Sequence, residues 1–146
     1  WSSDVCSSDL IVSGYFNPLH IGHIEYFKIA KKNFDKLFVI VNNDYQRHLK
    51  GSNEFMLEDE RVEIIKALSI TDKVYLSIDR DRSVSKTIEH LYNIHKSEYK
   101  LFFGNGGDQS SESVPEKELC NSLGIELIDG LGEKIQSSSW LIKKNQ

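Results

Sequence analysis

Two histidines three residues apart, His20 and His23, stand in the stretch Ser13-Gly14-Tyr15-Phe16-Asn17-Pro18-Leu19-His20-Ile21-Gly22-His23. Leu10-Ile11-Val12 before it is a short apolar run, as in a buried strand. After it, Ile24, Phe27, Ile29 and Ala30 recur at roughly helical spacing among Glu25, Lys28, Lys31 and Lys32. The stretch is therefore a strand-to-helix turn, with Gly14 and Pro18 as turn residues. His20 and His23 fall on one face of the first helical turn. Gly22 between them has no side chain, so another group can approach the backbone closely. A helix N-terminus offers N–H groups and the positive end of a dipole. Two imidazoles added there make a site for phosphate charge. The plainer alternative is a polar helix start with no ligand. A zinc pair is the third reading, but zinc needs a further protein ligand, and no Cys or acidic cluster stands nearby at a familiar spacing. No residue is assigned to a metal.

The elements that must hold this turn alternate along the chain. Lys36–Val41 is a continuous apolar run, as in a central parallel strand. Val74–Ile78, Leu101–Phe103 and Ile125–Ile128 are further strands. Helices are expected over Leu57–Ser69, over Ser83–His95 with Ser83 as cap, and from Pro115 to a stop at Leu123-Gly124. A short terminal helix at Trp140–Ile142 follows Ser137–Ser139. Alternation of this kind predicts an α/β domain: a Rossmann-like, doubly wound, parallel five-stranded sheet with helices on both faces. Ligands on such sheets bind beyond the carboxyl ends of the strands. The loops 14–20, 42–55, 78–82, 104–108 and 130–137 all follow strands and share that edge.

Residues 1–10, Trp1 to Leu10, match residue for residue the translation of a common sequencing-adapter end. They are Ser-rich and without period, and are expected to be a non-native scar hiding the true N-terminus. Residues 11–146 are then one domain. The formal net charge of −4 includes Asp4 and Asp9 and leaves no footprint for nucleic acid. Cys120 is the lone cysteine once Cys6 is set aside, which excludes a disulfide framework and fits a reducing, cytoplasmic setting. No run of about 18 apolar residues offers a membrane span.

Two other segments carry chemistry. Gly104-Asn105-Gly106-Gly107-Asp108 has so little side chain that backbone groups must be exposed at a strand end. It suits a base edge or ribose, or else is a tight turn whose glycines supply positive φ. Lys134-Ile135-Gln136-Ser137-Ser138-Ser139 offers hydroxyls and N–H groups at a helix start, either for phosphates or as an ordinary N-cap. Asn42, Asp44 and Arg47 belong to a loop that reads equally as plain polar surface.

The Gly-aromatic-Phe-Asn-Pro stretch with His-Ile-Gly-His resembles the signature of the nucleotidylyltransferase superfamily, and the resemblance covers essentially all of 11–146. It is similar above all to small cytidylyltransferases of the glycerol-3-phosphate type. It implies transfer of a nucleotidyl group from CTP to the phosphate of a small phosphorylated alcohol or sugar, with release of pyrophosphate and with Mg²⁺ carried by the triphosphate. It implies catalytic roles for His20, His23 and Lys50. Nucleotide binding would fall to Ser13, Gly14, Tyr15, Phe16, Gly22, Asn105, Gly106, Gly107, Asp108, Lys134, Gln136, Ser137, Ser138 and Ser139. Acceptor or phosphate binding would fall to Asn17, Asn42, Asp44 and Arg61. The resemblance allows a homodimer and implies no nucleic-acid or membrane partner. The chain departs from the family's Arg-x-x-Gly-Ile-Ser-Thr-Thr segment, since no Arg precedes the serines and Lys134 stands closer to them. Asn17 stands where cytidylyltransferases more often carry Asp. Asn-Pro there resembles nicotinate-mononucleotide adenylyltransferases, so an ATP-dependent adenylyltransferase of that or the heptose-phosphate type is the alternative. His-Ile-Gly-His also occurs in class I aminoacyl-tRNA synthetases, but the chain is too short and has no Lys-Met-Ser-Lys-Ser segment. A non-catalytic nucleotide-binding domain is the remaining reading.

Overall fold

The computed structural model describes residues 7–16, 19–51, 53, 56–81, 83–95, 99–104 and 116–128. Their elements run β1 (Ser7–Gly14), α1 (Ile21–Lys32), β2 (Lys36–Val41), α2 (Asp44–Lys50), α3 (Glu58–Lys66), β3 (Lys73–Leu76), α4 (Ser85–His95), β4 (Tyr99–Gly104), α5 (Lys117–Leu123) and β5 (Glu126–Ile128). The expected terminal helix at 140–142 and Pro115 lie outside the described residues.

All strand pairs are parallel, in the order β3-β2-β1-β4-β5. The period of two in each strand sends alternate residues to opposite faces. Leu10 and Val12 of β1, with Leu37, Val39 and Val41 of β2, meet Tyr26, Phe27 and Ala30 of α1 and Ile65 of α3. Ile11, Phe38 and Ile40 meet Val84, Ile88 and Leu91 on the α4 side and Cys120 of α5. The sheet is thus covered on both faces, as the apolar runs predict. Connections step outward one way from β1 to β2 and β3, and the other way to β4 and β5. That reversal opens a crevice at the carboxyl end of β1, where α1 begins.

Three expectations are corrected. The segment after β2 is not all loop: Asp44–Lys50 is a helix, capped by Asn43, whose side chain accepts the Gln46 N–H while Gln46 accepts the Asn43 N–H. β3 ends at Leu76, because Asp79 turns in to accept the Lys86 and Thr87 N–H groups at the start of α4. Ser83 is correspondingly a minor cap, 3.4 Å from the Ser85 N–H and itself bonded to Asp81.

β1 begins at Ser7 and so takes in the last adapter-like residues. A parallel ladder pairs backbone groups, which every non-proline residue supplies. Asp35 accepts the Ser8 N–H, and Ser8 accepts the Asp35 N–H. The price of that sequence is Asp9, a carboxylate with 0% exposure in register with Lys36 and Leu101. Burying a charged group is costly even when it is paired. Asp9→Val should raise the thermal unfolding midpoint by about 2–8 °C, the shift that about 1 kcal/mol gives in small domains. A lower midpoint in differential scanning calorimetry would mean that the carboxylate's contacts outweigh its burial.

Candidate functional site

α1 starts with no acidic residue in its first turn, whereas α3 has Glu58, Asp59 and Glu60 there. The histidines do the capping instead. His20 Nδ1 accepts the Gly22 N–H at 3.1 Å, and His23 Nδ1 accepts the His20 N–H at 3.1 Å. The rings stack with centroids 3.9 Å apart and planes 27° apart. In a neutral imidazole one nitrogen accepts and the other donates. With each Nδ1 accepting, each proton sits on Nε2. The site therefore presents two imidazole N–H donors side by side at the positive end of a helix.

Two glycines make room for this pair. A Cβ on Gly22 would lie 2.9 Å from His20 Cε1. A Cβ on Gly14 would lie 2.8 Å from Phe16 Cζ. Phe16 has φ 52°, a left-handed value that bulky residues rarely adopt. Its ring folds back over Gly14 and meets His23 edge-on at 4.9 Å and Phe27 at 5.5 Å.

Burial, with His20 second, pushes the His23 imidazole down from 6.5 to about 4. His23 is half-buried and is neutral at pH 7.

The other expected residues divide. Lys50 is exposed at the end of α2, its Nζ 4.4 Å from the Tyr15 ring centroid. Tyr15 donates its hydroxyl to the Gln46 carbonyl at 3.5 Å. The Lys50 ammonium is thereby brought to the loop that precedes the histidines. Ser13 and Gly14 end β1 opposite Ile40 and Val41. Four of the residues expected at the ligand are engaged within the protein. Phe16 is 3% exposed and belongs to the core beneath His23. Arg61 is 0% exposed, turned inward to the Tyr15, Asn42 and Met56 carbonyls and to Asp44. Asn42 is buried and donates to Gln46, and Asp44 accepts from Arg61 and from the Glu58 N–H. These groups tie strand ends together, because backbone carbonyls at a buried sheet edge need donors. Asn17, Asn105, Gly106, Gly107, Asp108, Lys134, Gln136, Ser137, Ser138 and Ser139 lie outside the described residues.

Gln46 and Asp79 also hold this rim, although neither stands out in the sequence. Gln46 is fully buried and donates to the Asp81 and Ser83 carbonyls. Asn43 donates to the Ser77 and Asp79 carbonyls. Asn43-x-x-Gln46 is the spacing of a capping box, a signal that was present in the chain.

A family model described as cytidylyltransferase-like matches residues 11–123. The chain belongs to this family of nucleotidyltransferases. This cytidylyltransferase-like chain is 34% identical over 124 residues to the bifunctional protein HldE of Syntrophotalea carbinolica, covering 82% of the chain but only 24% of HldE. The chain thus spans about a quarter of the HldE proteins it matches. It is 29% identical over 139 residues to the FAD synthase of Thermoplasma volcanium, covering 92% of each. Among solved structures, the lipopolysaccharide core biosynthesis protein of Thermoplasma volcanium GSS1 shares the fold, with a TM-score of 0.63 and 23% identity over 84% of this chain and 95% of that one. No helix among the described residues is long and apolar enough to cross a membrane.

The lowered His23 value fixes a sign. Stability from its neutral ring is present above about 6.5 and is lost as pH falls from there through about 4. Nitrogen-15 NMR should show His23 with Nδ1 unprotonated and a titration midpoint near 4. Gly22→Ala should displace His20 and move that midpoint upward. A wild-type midpoint near 6.5 would contradict the stacked, half-buried arrangement.

Proposed function

We propose that the chain moves an adenylyl group from ATP to the phosphate of a small phosphorylated acceptor. The observation that carries the reading is the pair of Nε2–H donors at the start of α1. An acceptor phosphate oxygen attacks the α-phosphorus, the bond from that phosphorus to the α–β bridging oxygen breaks, and pyrophosphate leaves. The attacking phosphate is already an anion at pH 7, so no general base is needed. What remains is positioning and charge stabilisation. His20 and His23 donate to the α-phosphate and bridging oxygen as charge builds there. Lys50 leaves the Tyr15 face for the departing phosphates, as a mobile point charge can. Lys134 and Ser137–Ser139 complete the pyrophosphate site, and Asn105–Asp108 reads the base.

Mg²⁺ would be supplied with the triphosphate and would neutralise phosphate charge. The imidazole N–H groups of His20 and His23 suit phosphate oxygens of such a complex rather than the cation itself.

ATP replaces the CTP expected from the sequence. The support is the likeness to FAD synthase over nearly the whole chain, because FAD contains an adenylate. Asn17-Pro18 points the same way. The acceptor class is then a phosphate ester such as a flavin mononucleotide, a sugar phosphate or a nucleotide.

The test is pyrophosphate release with each triphosphate against a panel of phosphorylated acceptors. ATP should exceed CTP in kcat/KM by at least about tenfold, roughly 1.4 kcal/mol of differential transition-state binding. A preference for CTP would restore the cytidylyltransferase reading. His20→Ala and His23→Ala should each lower kcat by on the order of 10²–10³. Each should also cost about 1 kcal/mol of stability through the lost cap. Wild-type turnover in either variant would refute the mechanism.

A further inference from the structure

Among the described residues Arg61 is the largest fully buried side chain, and the transfer step proposed above does not use its charge. Its hydrogen bonds join four parts of the chain. Nη1 donates to the Tyr15 carbonyl at 2.7 Å and to the Asn42 carbonyl at 2.6 Å. Nε donates to the Met56 carbonyl at 3.1 Å, and Nη2 to Asp44 Oδ1 at 2.6 Å. The loop after β1, the end of β2, the start of α2 and the approach to α3 are thus held by one planar fork. Lysine lacks that geometry.

The Tyr15 carbonyl belongs to the peptide that sets the position of Phe16. That peptide leads into the left-handed φ of 52°, which persists only where surroundings over-determine it. The Phe16 ring then sits over Gly14 and edge-on to His23. A chain of contacts therefore runs from the guanidinium, through one peptide oxygen and one aromatic ring, to a proposed catalytic imidazole.

We propose that Arg61 is a positioning residue of the transfer site, which fixes the Tyr15–Phe16 peptide and through the Phe16 ring holds His23 in the stacked pair. The role rests on the function proposed above. It differs from anion binding, which would need the guanidinium to face the crevice. Without the bond to the Tyr15 oxygen, the peptide can rotate and Phe16 can relax to negative φ. His23 then loses its edge contact and part of its burial.

The test pairs kinetics with NMR on Arg61→Lys and Phe16→Leu. In both, kcat should fall on the order of 10–100-fold, the scale of a small misplacement of reacting groups. KM for the acceptor phosphate should stay within about twofold, as for loss of an interaction that acts on the transition state alone. The His23 titration midpoint should move from about 4 toward 6.5. A rise in acceptor KM with an unmoved His23 midpoint in Arg61→Lys would overturn the proposal in favour of direct anion binding. If Arg61→Lys fails to fold by circular dichroism, Phe16→Leu keeps every Arg61 bond and decides alone: an unmoved midpoint there overturns the proposal. Absence of transfer from any triphosphate in the wild type would refute the proposed function, while the His23 midpoint in the variants still decides the role of Arg61.

Discussion

The structure depends on a reciprocal cap made of imidazoles. His20 and His23 each accept a backbone N–H at the start of α1, so folding of the helix and the protonation state of the site are one event. A carboxylate would cap the helix equally well but would repel phosphate. An imidazole accepts at Nδ1 and still donates at Nε2. The arrangement serves only when the ring is neutral, because a protonated Nδ1 cannot accept. Burial of His23 against Phe16 and the neighbouring ring keeps it neutral well below pH 7.

Around this cap, buried polar side chains take the place of a continuing ladder. A parallel sheet ends in a row of carbonyls, and the loops that follow are too irregular to satisfy them. Asn43, Gln46 and Arg61 supply the donors. Asp44 and Glu58 each accept the other's N–H and so join the starts of α2 and α3. Asp79, 1% exposed, anchors the start of α4. The rim beside the crevice is built from satisfied groups, which rigidifies a site placed on loops. Beside it His20 and Lys50 remain exposed, and His23 is half-buried.

The relatives carry a matching core in chains of different length. In HldE it corresponds to about a quarter of a longer protein, and in FAD synthase to nearly the whole. A shared frame does not by itself fix function, which has to be argued from the site.

Much of this was legible in the chain. Lys36–Val41 can only be a strand covered on both faces, and its neighbours repeat that signal, so the parallel sheet follows from periodicity. His-x-Gly-His between a strand and an amphipathic helix placed the two rings on one face. Residue types settle these features because apolar burial and helix geometry act over a few neighbours. The sequence could not tell which polar residues turn inward. Arg61 on a charged helix looks available to a ligand, and Asn42 and Asp44 look like loop surface. The role of Arg61 depends on carbonyls supplied by Tyr15, Asn42 and Met56, and that of Asp44 on Arg61 and the Glu58 N–H, partners that adjoin only once the chain has folded. Phe16 likewise looks like part of a ligand loop until the left-handed turn at its own φ carries it beneath His23. Local pattern determined the elements and the paired histidines. Tertiary contact alone decided which charges are buried, because burial of a polar group depends on partners that the fold brings from elsewhere in the chain.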